Sequence, residues 1–308
     1  MVDPPNQTGN RVGVEITSTA LNAVVVGEND TILTTRSVAI SGGENTVPEL
    51  KALVESLKNE LGGFARIGIA VPGLVDRMTG RVAFSANIPK HSDVDLVRDV
   101  KAATGLAISL ENDANAAAYG EYRLGAGRGS DNMFFATLGE GVGGAFIFGG
   151  EIWRGASGFA GEFGYVPINS EGMRLEEVAS AANIIRRTRS RFHQDNTSSL
   201  NKLTEEAITL KEIIAAAENE DDFAQMMLER TGMYVGSAVA SVINLLNIEK
   251  IVVGGEIMQA KQLVLNAIVE RARELSFSPS FNSTSIVEGE LGINAAAAGA
   301  ALISGQAD

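Results

Sequence analysis

Residues 135–148 read F-A-T-L-G-E-G-V-G-G-A-F-I-F, and residues 12–26 read V-G-V-E-I-T-S-T-A-L-N-A-V-V-V. Both run strand, small-residue turn, strand. A chain that opens two halves with the same hairpin suggests an ancient duplication. The expected fold is therefore α/β, with two lobes built on a repeated β-β-β-α-β-α-type core.

The segments around each hairpin agree. In the first half, Val12–Thr17, Ala23–Val26 and Thr31–Ile40 read as strands, being rich in β-branched residues and bounded by turn residues. T-V-P-E at 46–49 has the form of a capping box. Leu50, Leu53, Val54, Leu57 and Leu61 follow at helical spacing. Ile67–Val71 and Leu106–Leu110 read as buried strands, with a loop and a helix between them. An alanine-rich helix then runs to about Leu124. In the second half, Met133–Leu138 and Ala145–Phe148 are expected strands. Helices follow over about 175–191, 210–218 and 222–246. Strand Lys250–Val253 leads into a helix ending near Leu275, then a strand over 285–288. N-A-A-A-A-G-A-A-L-I at 294–303 is a small-residue helix suited to close packing.

Bulk properties narrow the function. The 308 residues suit two α/β lobes, and the 45% apolar content supplies a sizeable core. No apolar run approaches the roughly 18 residues of a membrane span, and residues 1–10 read as a flexible lead-in, not a signal peptide. The net charge of −13 argues against a nucleic-acid footprint. The absence of cysteine excludes disulfides and thiolate metal sites and fits the cytoplasm. The cluster I-I-R-R-T-R-S-R-F-H (184–193) reads as a solvated helix face. His91 and His193 form no metal-ligand pair. Trp153 reads as packing.

Four motifs carry candidate chemistry, each with a structural reading beside it. The glycines of T-L-G-E-G-V-G-G (137–144) let backbone approach an anion, or merely turn a hairpin. Asp113 follows a strand and starts a helix, as an N-cap or as a base kept ionised by the helix terminus. Glu162 and Glu176 lie at a loop and a helix start, where carboxylates are often structural. Paired with Asp113 they would suit a polyhydroxylated ligand. V-V-G-G-E-I (252–257) is either a nucleotide-binding turn or a tight strand-to-helix connection.

Taken in order, G-I-A-V-P-G-L-V-D (68–76), E-N-D-A-N-A-A-A-Y-G-E (111–121), G-E-I-W-R-G-A-S-G-F-A-G-E-F-G-Y (150–165) and N-L-L-N-I-E-K-I-V-V-G-G (244–255) resemble the ROK family. That family comprises bacterial sugar kinases and sugar-responsive repressors of the actin-like ATPase, ribonuclease H-like fold. The resemblance spans about Val12 to Ile303. It implies lobes over 11–117 with 295–308 and over 118–294, with sugar and ATP between them. It implies Asp113 as the base for the sugar's 6-hydroxyl. It assigns Gly73, Asn87, Asn112, Glu162, Tyr165 and Glu176 to the sugar. Glu15, Thr17, Ser18, Thr19, Gly139, Glu140, Gly141, Gly143 and Gly144 would face phosphate, and Gly254 and Gly255 the adenosine. Mg²⁺ would accompany ATP, and a homodimer or homotetramer is expected.

Departures from the family pattern define an alternative. The first phosphate loop is usually D-x-G-G-T, but here it is E-I-T-S-T (15–19), so Thr17 and Ser18 replace glycines. The second is usually G-T-G, but here it is G-E-G, with Glu140 where phosphate approaches. G-E-G occurs in the family's repressors. The zinc-site His is Tyr165, and the following loop is short and cysteine-free, so no structural zinc is expected. About ten residues precede the first strand, too few for a helix-turn-helix. The two expectations are an ATP-dependent hexose or N-acetylhexosamine kinase and a sugar-binding sensor that does not use ATP.

Overall fold

The computed structural model describes residues 9–40, 46–76, 79–84 and 95–306. The chain divides into two compact units. The first comprises residues 1–129, 151–160 and 293–308, and the second 130–150 and 161–292. The sequence expectation put a boundary at 117/118. That point lies inside helix α3 (Asp113–Leu124), which belongs wholly to the first unit.

In the first unit, β1 (Arg11–Ile16), β2 (Ala20–Val26), β3 (Ile32–Ala39), β4 (Arg66–Val71) and β7 (Ala107–Asn112) form a sheet in the order β3-β2-β1-β4-β7. The first three strands are antiparallel, while β1, β4 and β7 run parallel. Helix α1 (Thr46–Leu61) buries Leu50, Leu53, Val54 and Leu57 against Val12, Val14, Ile67 and Ile69. Burying each such side chain contributes about 1.5–3 kcal/mol. A hairpin of β5 (Leu74–Asp76) and β6 (Arg81–Phe84) occupies part of the expected loop, and helix α2 (Leu96–Thr104) leads into β7.

The second unit repeats the plan. Strands β8 (Asn132–Leu138) and β9 (Val142–Phe148) form the antiparallel hairpin, and β11 (Lys250–Gly254) and β12 (Ser285–Glu288) extend it in parallel from β8. The order β9-β8-β11-β12 matches β2-β1-β4-β7. Its core is closed by α6 (Leu210–Glu218), α7 (Asp222–Leu246) and α8 (Gln262–Leu275), and the short α9 (Ser278–Asn282) leads into β12. The helix expected over 175–191 is broken at Ser180 into α4 (Glu176–Ala179) and α5 (Ala181–Arg189).

Two bland expectations are corrected. Trp153, read as packing, is 51% exposed on the short strand β10 (Glu151–Trp153). The arginines of α5 are not simply a solvated face. Arg187 donates to Val178 O (2.8 Å) and Thr231 Oγ1 (2.7 Å), and Arg189 donates to Ile208 O (2.9 Å). Burial pushes the Arg187 guanidinium down to about 10. Among the described residues no helix is long and apolar enough to cross a membrane.

Candidate active site

In the first unit the parallel strands deliver their C-terminal ends side by side, the usual ligand edge of an α/β sheet. Val71 pairs with Asn112, and Gly73 follows at φ +124°, a left-handed turn that favours glycine. The N-cap of α3 is Asn112, not Asp113. Its Oδ1 accepts from Asn115 N at 3.0 Å. Asp113 thus takes the first helical position, where the partial positive charge of the terminus favours a carboxylate. Its Oδ1 accepts from Asn112 Nδ2 (2.9 Å) and Ala114 N (3.0 Å). Asn112 Nδ2 also donates to Gly73 O (3.0 Å), tying three expected sugar-site residues into one network.

Behind this network lies a pair that sequence reasoning missed. Glu111 is 3% exposed, and its Oε2 accepts from Arg154 Nη2 (2.6 Å) and Nε (3.2 Å). Its Oε1 accepts from Asn115 Nδ2 and Asn112 N, both at 3.1 Å. No local sequence signal marks the pair, because its members lie 43 residues apart.

Glu15 pairs with Asn22 across β1 and β2, and Asn22 Nδ2 donates to its carboxylate (3.0 Å). Ser37 Oγ in turn donates to Asn22 Oδ1 (2.8 Å). Burial, reinforced by the charge of Asp113, pushes the Glu15 carboxyl up to about 7, while the Asn22 hydrogen bond works the other way. The turn that follows is closed by a side chain. Thr17 Oγ1 accepts from Thr19 N (3.3 Å) and Ala20 N (2.9 Å), and Thr17 N donates to Ala20 O (2.9 Å). Thr17, Ser18 and Thr19 all keep negative φ, so the turn forms without the left-handed geometry of a glycine loop.

In the second unit the glycine-rich stretch is shorter as a loop than its composition suggests. Gly143 and Gly144 lie within β9. A Cβ on Gly144 would come 2.8 Å from the Phe134 and Phe163 side chains, so packing accounts for that glycine. Packing also accounts for Gly254, whose Cβ would sit 3.0 Å from the Phe135 ring, and for Gly255, at φ +95° and 2.3 Å from Leu138 O. Gly139 is different. It closes a tight turn by donating to Gly141 O (2.9 Å), and the nearest atoms to its Cβ position are those of Glu256, at 4.0 Å. Glu140 is exposed at the tip. Burial first, then the charge of Glu140, raises the Glu256 carboxyl above its ordinary value.

Glu162 precedes a short 3-10 turn at Phe163–Tyr165. Burial, then the nearby charge of Glu176, raises its carboxyl. Glu176 Oε2 accepts from Val142 N (2.9 Å), so an expected sugar ligand also holds the exit of the glycine turn. Ala181 N donates to Gly139 O (2.8 Å) and fixes its entrance. The shortened loop after Tyr165 closes on itself. Leu175 N donates to Val166 O (2.9 Å), Ile168 N to Met173 O (2.8 Å), and the Arg174 guanidinium lies 4.3 Å from the Tyr165 ring centroid. Tyr165 remains 57% exposed. Asn87 lies outside the described residues. Among the described residues no group of three or more His, Cys, Asp or Glu could hold a metal ion.

The first unit thus brings together Glu15, Gly73, Asn112 and Asp113. The second brings together Gly139–Gly141, Glu162, Glu176 and Glu256.

Comparison with known proteins identifies the fold and the family. The chain is 33% identical over 287 residues to a glucokinase of Thermotoga maritima, covering 89% of this chain and 90% of that protein. The structure of a ROK family glucokinase from Streptomyces griseus, in complex with glucose and AMPPNP, superposes with a TM-score of 0.86 at 31% identity. It covers 97% of this chain and 100% of that one. A ROK family transcriptional regulator, a homologue of the E. coli MLC protein, gives 0.85 at 27% identity, covering 97% of this chain and 79% of that one. The expected fold class, α/β of the actin-like sugar-kinase type, is the one found. Residues 11–307 match the ROK family model, and the chain belongs to the ROK family.

Proposed function

We propose that the chain is an ATP-dependent sugar kinase that phosphorylates the 6-hydroxyl of a hexose or N-acetylhexosamine. The observation that carries this reading is the setting of Asp113. Its carboxylate stands at a helix N-terminus, oriented by Asn112, on the ligand edge of a parallel sheet. A pure binding site has little need of a base so held. Asp113 accepts the proton of the 6-hydroxyl as that oxygen bonds to the γ-phosphorus, and the bond to the bridging oxygen of ADP breaks. Asn112, Glu162 and Glu176, with Gly73 O, orient the other hydroxyls, and positioning of this kind is most of what a protein adds to phosphoryl transfer. The open side of Gly139 suits close approach of a phosphate. A magnesium ion bound with ATP would supply charge neutralisation. The likeness to glucokinases supports this assignment. The acidic, cysteine-free composition supports a cytoplasmic setting.

One observation favours a second reading, a sugar sensor that does not use ATP. The Thr17 hydroxyl occupies the Thr19 and Ala20 amides, which are then not offered to a phosphate.

ADP release with Mg-ATP decides between them, measured across glucose, N-acetylglucosamine, N-acetylmannosamine, mannose, fructose and allose. A kinase turns over at least one of these, and Asp113→Ala lowers its kcat by about 10²- to 10⁴-fold, the range for loss of a general base. No turnover, with a sugar still raising the melting temperature, establishes the sensor.

A further inference from the structure

We propose that the buried Arg154–Glu111 ion pair is a positioning device for the Asp113 carboxylate, acting through Asn112. The proposal deepens the kinase reading and rests on it.

The chain of contacts is continuous. Arg154 donates through Nη2 and Nε to Glu111 Oε2 at 2.6 and 3.2 Å. The other oxygen, Oε1, accepts from the backbone N of Asn112 and the side-chain amide of Asn115, each at 3.1 Å. Both oxygens are therefore committed as acceptors, which suits a carboxylate and not a carboxylic acid. A carboxylate 3% exposed needs its cation, because an unpaired buried charge is strongly unfavourable.

What the pair fixes is the entrance to α3. Asn115 N donates to Asn112 Oδ1 at 3.0 Å. This settles the orientation of the Asn112 amide, since a flipped amide would set NH₂ against N–H. With Oδ1 turned to the helix, Nδ2 must face the other way, where it meets Asp113 Oδ1 (2.9 Å) and Gly73 O (3.0 Å). Arg154 itself is held by its own segment. It donates to Ile152 O (3.2 Å), and its carbonyl accepts from Ala160 N (3.1 Å). Arg154 thus ties its own segment, Glu151–Ala160, into the network around Asp113. Its effect is exerted through Glu111 and Asn112.

The test is steady-state kinetics on the sugar that the protein phosphorylates, for Arg154→Met, Arg154→Lys, Glu111→Gln and the double variant Glu111→Gln/Arg154→Met. Arg154→Met should lower kcat by about a hundredfold, the scale of an ångström-level misplacement. The KM for sugar should stay within about threefold, because the lost interaction bears on the reacting proton and not on ground-state binding. Arg154→Lys should recover about tenfold of the loss, since one ammonium keeps the charge but not the planar fork. The double variant, which buries no unpaired charge, separates folding failure from mispositioning. It should melt near the wild type yet keep the low kcat. A kcat within about twofold of wild type in the double variant overturns the proposal.

A second readout does not depend on turnover. The Asn112 side-chain amide, assigned in a ¹H–¹⁵N spectrum by its loss in Asn112→Asp, should shift in Arg154→Met. If the wild type phosphorylates no sugar, the kinase reading falls, and this signal alone decides. An unmoved Asn112 amide overturns the positioning role.

Discussion

At the residue scale, burial moves the Glu15 carboxyl far from its ordinary range. It ionises near pH 7 in the folded chain and near 4.5 when unfolded. The folded state therefore holds a proton that the unfolded state has released between those values. Stability is highest below about pH 4.5 on this account, falls as pH rises to 7, and stays lower above it. The fall attributable to Glu15 is about 3 kcal/mol. Glu15→Gln keeps an oxygen for Asn22 and removes the titration. It should be the more stable protein at pH 8 and should lose that advantage near pH 4, as urea melts at both pH values will show. A destabilised Glu15→Gln at pH 8 would mean that the buried charge is compensated by groups other than Asn22. The placement of Asp113 was legible in the sequence because a local pattern, strand then helix start, carries it. The pairing of Glu111 with Arg154 was not. A buried ion pair between residues 43 apart leaves no local trace, and either member alone reads as surface charge.

At the element scale, hidden strands and self-closing turns separate what was legible from what was not. Helix α7 matched its expected ends because both are written in side chains. Asp221 caps the start by accepting from Ala224 N, and Asn247 ends the helix in the left-handed region. Strand β9 began earlier than expected because glycines conceal it: Gly143 and Gly144 read as loop but pair with Thr137 and Ala136. The β5–β6 hairpin was missed because strands of three and four residues are too short to show a period. The β1–β2 turn bears most directly on function. If Thr17 has removed ATP use, its replacement should help restore it. In the sensor case, Thr17→Gly with Ser18→Gly and Glu140→Thr should create sugar-dependent ADP release where each change alone creates none. In the kinase case, Glu140→Thr alone should lower the KM for ATP by about three- to tenfold, because a carboxylate near phosphate repels it and Mg²⁺ offsets only part of that repulsion. An unchanged KM for ATP would place Glu140 beyond the reach of the phosphates, as its exposure allows.

At the scale of the whole molecule, the first unit is completed by residues that come last. Helix α10 (Ala295–Ser304) has nine of its ten positions filled by Ala, Gly, Leu or Ile, and every one of the ten is buried. The sheet and α3 receive it through glycines. A Cβ on Gly13 or Gly68 would come 1.9 Å from Ala297 O or Ala300 O, and one on Gly120 would come 2.3 Å from Ala295 O. On the helix itself, a Cβ at Gly299 would lie 1.7 Å from Ala116 O. Two effects of Gly299→Ala therefore oppose each other. Helix propensity favours alanine by about 1 kcal/mol. Steric overlap with backbone, which cannot rotate away as a side chain can, costs about 3 kcal/mol. Packing wins, and Gly299→Ala should destabilise the protein by about 2 kcal/mol net, read as a lowered midpoint in urea. Because α10 meets β1, β4 and α3 across nearly the whole length of the chain, the first unit has long-range closure, and closure of this kind slows folding. A chain ending at Gly292 should therefore leave the first unit without cooperative structure, even though its sheet is encoded before residue 113. Hydrogen exchange should find β1, β4 and β7 unprotected in that truncation. Protection there equal to the full chain would show that the glycine notches adjust the fit of α10 and do not complete the core.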